Sequence, residues 1–304
     1  MQISKEKSEE LKKIVAALSI LVAALLCLAK AVAVYSTSSL AVLSSMVDSL
    51  SDVVASVVTF FAVKVSVRPA SNKYRYGYGK AEALSALFQA MFVAASGGFI
   101  IYDAALRLAK PTVLHQTDFG LAVMVFSLAI TLVLVWFQQY VARRTSSQAI
   151  AADSMHYVVD ILTNSSIILS LLIIKFWQIY WIDTVAAGII AVYLLYMSYD
   201  AGKNAVSLLL DKELGEDIRQ DVLNIVARHK IRPLVHDLRT RDLGNGYMFE
   251  FHLELDGDLS LKKAHDYTQE IEDMIYEKYP SAQVVVHQDP IGIEEHRLDS
   301  NLKN

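Results

Sequence analysis

Six apolar stretches follow one another along the first two-thirds of this chain, each near or above the length at which a helix crosses a lipid bilayer. They run from about Ile14 to Ser36, Leu40 to Val63, Ala83 to Leu106, Phe119 to Val141, Ile150 to Ile174 and Trp181 to Tyr199. A hydrocarbon core about 30 Å thick takes roughly 20 helical residues to cross. Lipid offers no partner to a bare peptide group, so such segments fold as helices. The first block exceeds the apolar core of a signal peptide and is expected to stay as a first span. Apolar residues are 54% of the 304, the composition of a membrane protein rather than a soluble one. The expected architecture begins with a six-helix transmembrane domain over residues 1–209.

Basic residues orient it. Lys5, Lys7, Lys12 and Lys13 precede the first block. Lys64, Arg68, Lys73, Arg75 and Lys80 lie between the second and third, and Arg143 and Arg144 between the fourth and fifth. The opposite loops hold only Arg107, Lys110 and Lys175. The excess of positive charge places both termini in the cytoplasm. Phe176, Trp177, Tyr180 and Trp181 fit an aromatic belt at the outer interface. Lys30, near the outer end of the first block, is expected to snorkel to that interface. Ala86, Ala90, Ala94, Gly97 and Gly98 in the third block form a small-residue stripe suited to close helix packing. With a net charge of −4 and no basic block, nucleic acid is not expected as a partner.

Inside this apolar frame sit acids. Asp48 and Asp52 are four residues apart in the second block, so on a helix they share a face. One Asp at the centre of a span costs about 2.5–3.5 kcal/mol, and a facing couple calls for a cation. His156 and Asp160 repeat the spacing in the fifth block. Two helices giving two donors each supply the four nitrogen and oxygen ligands that zinc accepts. One imidazole with three carboxylates suits other divalent ions too. Cys27 is the single cysteine, so neither an intrachain disulfide nor a thiolate cluster is available. Asp153, near the cytoplasmic end of the same helix, is expected to be a solvated or entry-route charge.

Beyond Tyr199 charges become dense, and a soluble domain is expected over residues 210–290, followed by a polar tail over 291–304. Its pattern is a helix from about Gly215 to Lys230, a strand from Leu234 to Leu243, a Gly-Asn-Gly turn at Gly244 to Gly246, and a strand from Tyr247 to Asp256. A helix from Ser260 to Tyr279 and a strand from Ala282 to Gln288 complete a small α-β-β-α-β fold with helices on one face of the sheet. His236, His252, His287 and Asp289 fall on or at the ends of these strands, with His265 on the last helix. His287 and Asp289, two apart, face the same side.

The two donor pairs, RYGYGKAE at Arg75 to Glu82, LLLDKEL at Leu208 to Leu214, HDLRTR at His236 to Arg241, FHLELDG at Phe251 to Gly257 and HQDP at His287 to Pro290 together resemble the cation diffusion facilitator family over nearly the whole chain. The resemblance implies a homodimer in a bacterial inner membrane with a metallochaperone-like cytoplasmic domain. It would export divalent metal, zinc foremost and cadmium or ferrous iron besides, in exchange for protons, with no organic cofactor and no enzymatic activity. Asp48, Asp52, His156 and Asp160 would be the transport site. His236, His252, His287 and Asp289, with His265 less directly, would bind metal in the cytoplasmic domain and tighten the dimer. Lys80 and Asp211 match a charge pair that interlocks the protomers. One segment departs from the pattern: Ser71, Asn72, Lys73, Tyr74 and Tyr78 stand where acids or histidines would hold a further metal, so that loop is expected to bind none.

The same acids would also serve a divalent-cation channel, and the cytoplasmic histidines a membrane metal sensor. Proton movement separates exchange from the channel, and transport separates it from the sensor. The sequence holds no HExxH, which argues against an intramembrane metalloenzyme.

Overall fold

The structure, a computed structural model, describes residues 5–37, 40–109, 118–177 and 181–292, with a number of side chains inside the helices outside that description. The chain divides into two compact units, Met1–Pro69 with Ala81–Val206 and Ala70–Lys80 with Ser207–Asn304.

The first unit is helical. It contains α1 (Lys5–Thr37), α2 (Leu40–Ser66), α3 (Ala81–Ala109), α4 (Asp118–Thr145), α5 (Gln148–Trp177) and α6 (Trp181–Leu209). These match the six apolar blocks, and most run past them into polar sequence, because a helix continues beyond lipid while its peptide groups still gain bonds. Among the described residues, Glu6–Val32, Ala81–Leu106 and Val125–Thr145 are long and apolar enough to cross a membrane. Its interior mixes a stripe of polar groups with small and aliphatic packing residues, and large apolar side chains lie on its outside. Leu21, Leu28, Phe61, Phe99, Trp136 and Tyr196 are all more than half exposed, as side chains facing lipid should be.

Its interior polar groups follow helical geometry. On α2, Ser49, Asp52, Ser56, Thr59 and Ser66 are buried, and their spacing of three, four and seven residues puts them on one stripe. The stripe ends in a clasp. Glu82, in the first turn of α3, accepts hydrogen bonds from Lys12 Nζ on α1 and Ser66 Oγ on α2, each at 2.9 Å, and from Ser147 just before α5. One buried carboxylate thus ties three helices and the start of a fourth. The small-residue stripe of α3 serves packing: Ala86 joins Ala152 and Ala205 in a buried cluster. A side chain at Gly97 would press on Ala191 and Leu195 of α6.

The second unit carries α7 (Glu216–Ala227), β1 (Leu234–Asp242), β2 (Tyr247–Leu255), α8 (Leu261–Lys278) and β3 (Gln283–Pro290). The sheet order is β1-β2-β3, with β1 antiparallel and β3 parallel to β2. Phe249, Phe251, Leu253 and Leu255, alternate residues of β2, pack with Val222 and Val226 of α7 and Ile271 and Ile275 of α8. Both helices therefore cover one face and leave the other to polar groups. The turn between β1 and β2 closes with Leu243 N donating to Gly246 O at 2.8 Å, and Gly244 takes φ +82°. Segment 70–80 lies on this turn: a side chain at Gly79 would overlap the backbone of Leu243 and Gly244, and one at Gly244 the backbone of Gly79. The two glycines permit a backbone approach that no other residue allows.

Candidate metal sites

In the first unit, α2 and α5 bring three of the four expected donors together. Nε2 of His156 lies 2.6 Å from Oδ1 of Asp52, yet the imidazole nitrogen has no aligned hydrogen-bond partner. Asp160, one turn further along α5, presents its carboxyl within hydrogen-bonding reach of Asp52. Asp52 is 3% exposed and His156 7%. Asp48 falls on α2 one turn before Asp52, and its side chain lies outside the described residues. The edge of His156 meets Phe92 at 5.3 Å between ring centres. Beside it is a cavity of about 130 Å³ lined by Val54, Ala55, Phe88, Gln89, Phe92 and His156. Lone pairs of one nitrogen and several oxygens thus converge next to a mostly apolar chamber, an arrangement that favours a cation and offers it little water.

Two expectations near this set are corrected. Asp153 is not solvated; it is 1% exposed and accepts from Gln138 Nε2 of α4 at 2.7 Å and Ser56 Oγ of α2 at 3.2 Å. Its place near the helix end suggested water, but neighbouring helices cover it. Lys30 does not snorkel. It is 7% exposed and donates to Ser49 Oγ of α2 at 2.6 Å, because a buried polar stripe offers the ammonium a partner on the inward side. The aromatic residues Phe176, Trp177, Tyr180 and Trp181, the loop cations Arg107, Lys110 and Lys175, and the tail from residue 293 lie outside the described side chains.

In the second unit the sheet register builds a second set. His236 pairs with His252 and His252 with His287, so three imidazoles form one row across three strands. Their ring centres are 4.9 and 4.7 Å apart, the spacing between neighbouring strands. Asp289 sits at the next same-face position, its Oδ2 at 2.7 Å from His252 Nδ1 and 3.4 Å from His236 Nε2, and its Oδ1 at 3.1 Å from His287 Nε2. His236, His252 and Asp289 each turn a ligand atom into a space less than 4.8 Å across. One extra residue between His236 and Arg239 forms a bulge, with Asp237 at φ +53°, which re-aims β1 beside the row.

His265 stands apart. It is exposed on α8, one position round from the Ala264, Thr268 and Ile271 face that packs on the sheet, and no contact joins it to the imidazole row among the described residues. Glu254 was not anticipated. It is 8% exposed and its Oε1 lies 3.7 Å from His236 Nε2. Two residues after His252, it shares that face by strand alternation, the signal that would have found it.

Lys80 and Asp211 meet within one chain at 2.7 Å, and Arg241 reaches the same carboxylate at 3.3 Å while lying over the Tyr76 ring. In the neighbouring loop Ser71 and Tyr78 are hydrogen bonded at 3.0 Å, and the Tyr74 and Tyr78 rings are 4.8 Å apart. No His, Cys, Asp or Glu occurs from residue 70 to 80.

Residues 16–210 match the family model described as the cation efflux transmembrane domain, and residues 214–291 that of the cation efflux protein cytoplasmic domain. The chain belongs to the cation efflux family. The cation efflux proteins are membrane-embedded transporters rather than enzymes, so the expected family, the helical membrane domain and the small α/β domain are all borne out. Curated relatives include the cation-efflux pump FieF of Serratia proteamaculans, 37% identical over 271 residues covering 89% of this chain and 90% of that protein. FieF of Shewanella oneidensis is 36% identical over 260 residues, covering 85% and 87%. A solved structure titled as the metal-bound C-terminal domain of the CzcD transporter from Thermotoga maritima is 29% identical, covers 26% of this chain and 93% of its own, and has a TM-score of 0.25.

Proposed function

We propose that this cation efflux protein exports a divalent metal cation, zinc in the first place, in exchange for protons, and that the ion binds between α2 and α5. The ligands would be Asp48, Asp52, His156 and Asp160. The observation that carries the reading is the contact of His156 with Asp52, with Asp160 against the same carboxylate, in the interior of the helical unit. A set of three carboxylates and one imidazole neutralises a doubly charged ion and satisfies its preference for nitrogen and oxygen ligands. Protons compete for the same lone pairs, so one site serves both species. Presenting that site to one face of the membrane and then the other gives exchange, and each ligand shifts the two populations only through its different affinity for them.

In the cytoplasmic domain, His236, His252, His287 and Asp289 fit a resident metal: the donors are nitrogen and oxygen, and ligand atoms of His236, His252 and Asp289 lie within 4.8 Å of one another. Bound there, a metal would crosslink β1, β2 and β3 through their side chains. His265 would join only if a second protomer or a shift of α8 carried it to the row. A homodimer in the bacterial inner membrane, termini in the cytoplasm and the Lys80–Asp211 pair at the protomer interface complete the proposal.

The test is transport in proteoliposomes under an imposed pH gradient, metal by metal, with a pH dye enclosed. The parent should move zinc with counter-movement of protons, and Asp52→Ala should abolish both. Zinc flux without proton movement would make the chain a channel.

A further inference from the structure

The buried acid at Asp153 has no part in the four-donor set, and its surroundings are unlike those of a structural ion pair. Its carboxylate accepts from Gln138 Nε2 at 2.7 Å and from Ser56 Oγ at 3.2 Å, and it lies in hydrogen-bonding contact with Ser19. Tyr157 closes the group, its hydroxyl 2.8 Å from Ser56 Oγ. Four helices therefore converge on one carboxylate: Ser19 from α1, Ser56 from α2, Gln138 from α4, and Asp153 with Tyr157 from α5. All the donors are neutral, and no cation forms an ion pair with Asp153 among the described residues. The charged or titratable groups facing it are Asp52 of α2 and His156 and Tyr157 of its own helix. Among the described residues of α1 and α4 it meets the neutral Ser19 and Gln138.

Beside the carboxylate, Gln138 is fully buried and its Oε1 has no hydrogen-bond partner. A buried acceptor without a donor is costly. A proton on Asp153, with the amide turned over, brings a hydroxyl against that oxygen, in exchange for the bond that Nε2 now donates to Ser19 Oγ at 2.8 Å. An ionised Asp153 takes the amide hydrogens instead. The two residues thus have a bonded arrangement for each protonation state.

We propose that Asp153, with Gln138, is a proton-holding station for the exchange, one helical turn from His156 and separate from the metal ligands. A proton arriving from water forms an O–H bond on the Asp153 carboxylate and neutralises it; the reverse step returns the proton to water. The inference rests on the proton-exchange reading above.

Full-length protein in proteoliposomes tests it, with zinc as the probe ion and transport measured over a pH series. Asp153→Asn should bind the same number of zinc ions as the parent at fixed pH, with affinity within about twofold, while transport slows at least about tenfold and loses one titrating step. An unchanged rate and pH profile overturns the proposal. Loss of one bound zinc overturns it too, by making Asp153 a metal ligand. If Asp153→Asn fails to assemble, Gln138→Met decides: a displaced pH midpoint with intact zinc binding supports the station, and an unmoved midpoint refutes it. Zinc transport by the parent without proton movement sinks the exchange reading itself, a result visible before any variant is made.

Discussion

His156 is the one nitrogen donor among carboxylates, and selectivity should follow from it. Replacing it by Asp gives an all-oxygen set, which suits harder ions. We expect His156→Asp to gain manganese transport relative to zinc and cadmium in proteoliposomes; an unchanged ranking would count against His156 as a ligand. In the cytoplasmic domain, Asp221 accepts from Lys278 and from Tyr279 Oη at 2.6 Å. The Lys278 bond, then that of Tyr279, holds its carboxyl below the usual carboxylate range. The folded state therefore binds this proton less readily than the unfolded one. The stabilisation is complete above about pH 4 and is lost as pH falls through the lowered value. Thermal unfolding of parent and Asp221→Asn should differ near neutrality and converge in acid; a constant gap would contradict the assignment. The pairs Asp48 with Asp52 and His156 with Asp160 were legible from spacing, because i and i+4 share a helix face. The surroundings of Asp153 and Lys30 were not, because their partners come from helices far off in sequence.

The elements were legible nearly to their ends, since apolar length marks a span and alternation marks β2. What the pattern did not contain was tertiary. The imidazole row depends on register, and the bulge after His236 that re-aims β1 has no local signature in HDLRT. The Glu82 clasp likewise joins residues from three helices and one turn. Lys12 and Glu82 are both nearly inaccessible, at 11% and 6% side-chain exposure. Removing one partner leaves the other charge buried and uncompensated, so Lys12→Met should cost about 3–5 kcal/mol. A melting temperature in detergent equal to that of the parent would show the clasp to be idle. Gly79→Ala should push segment 70–80 off the β1–β2 turn, read as faster amide exchange from residue 70 to 80 with α7 and α8 unchanged. Unaltered exchange in the segment would mean that it does not rest there.

At the scale of the molecule, two units of different chemistry each gather nitrogen and oxygen donors, one among helices and one on the open face of a sheet. The loop between α2 and α3 contains no His, Cys, Asp or Glu. In a chain carrying Asp48→Ala and His236→Ala, no stoichiometric metal binding sensitive to Asn72 or Tyr74 should remain. The central claim is that one doubly charged ion and protons compete for donors shared by α2 and α5. Its most direct test is calorimetry in buffers of different ionisation enthalpy, on the full-length chain with the cytoplasmic set disabled by His236→Ala and His252→Ala. The account predicts one zinc bound per chain with release of protons, and loss of both when Asp48, Asp52, His156 and Asp160 are all neutralised. Zinc bound without proton release, or bound equally well after those four changes, would contradict it.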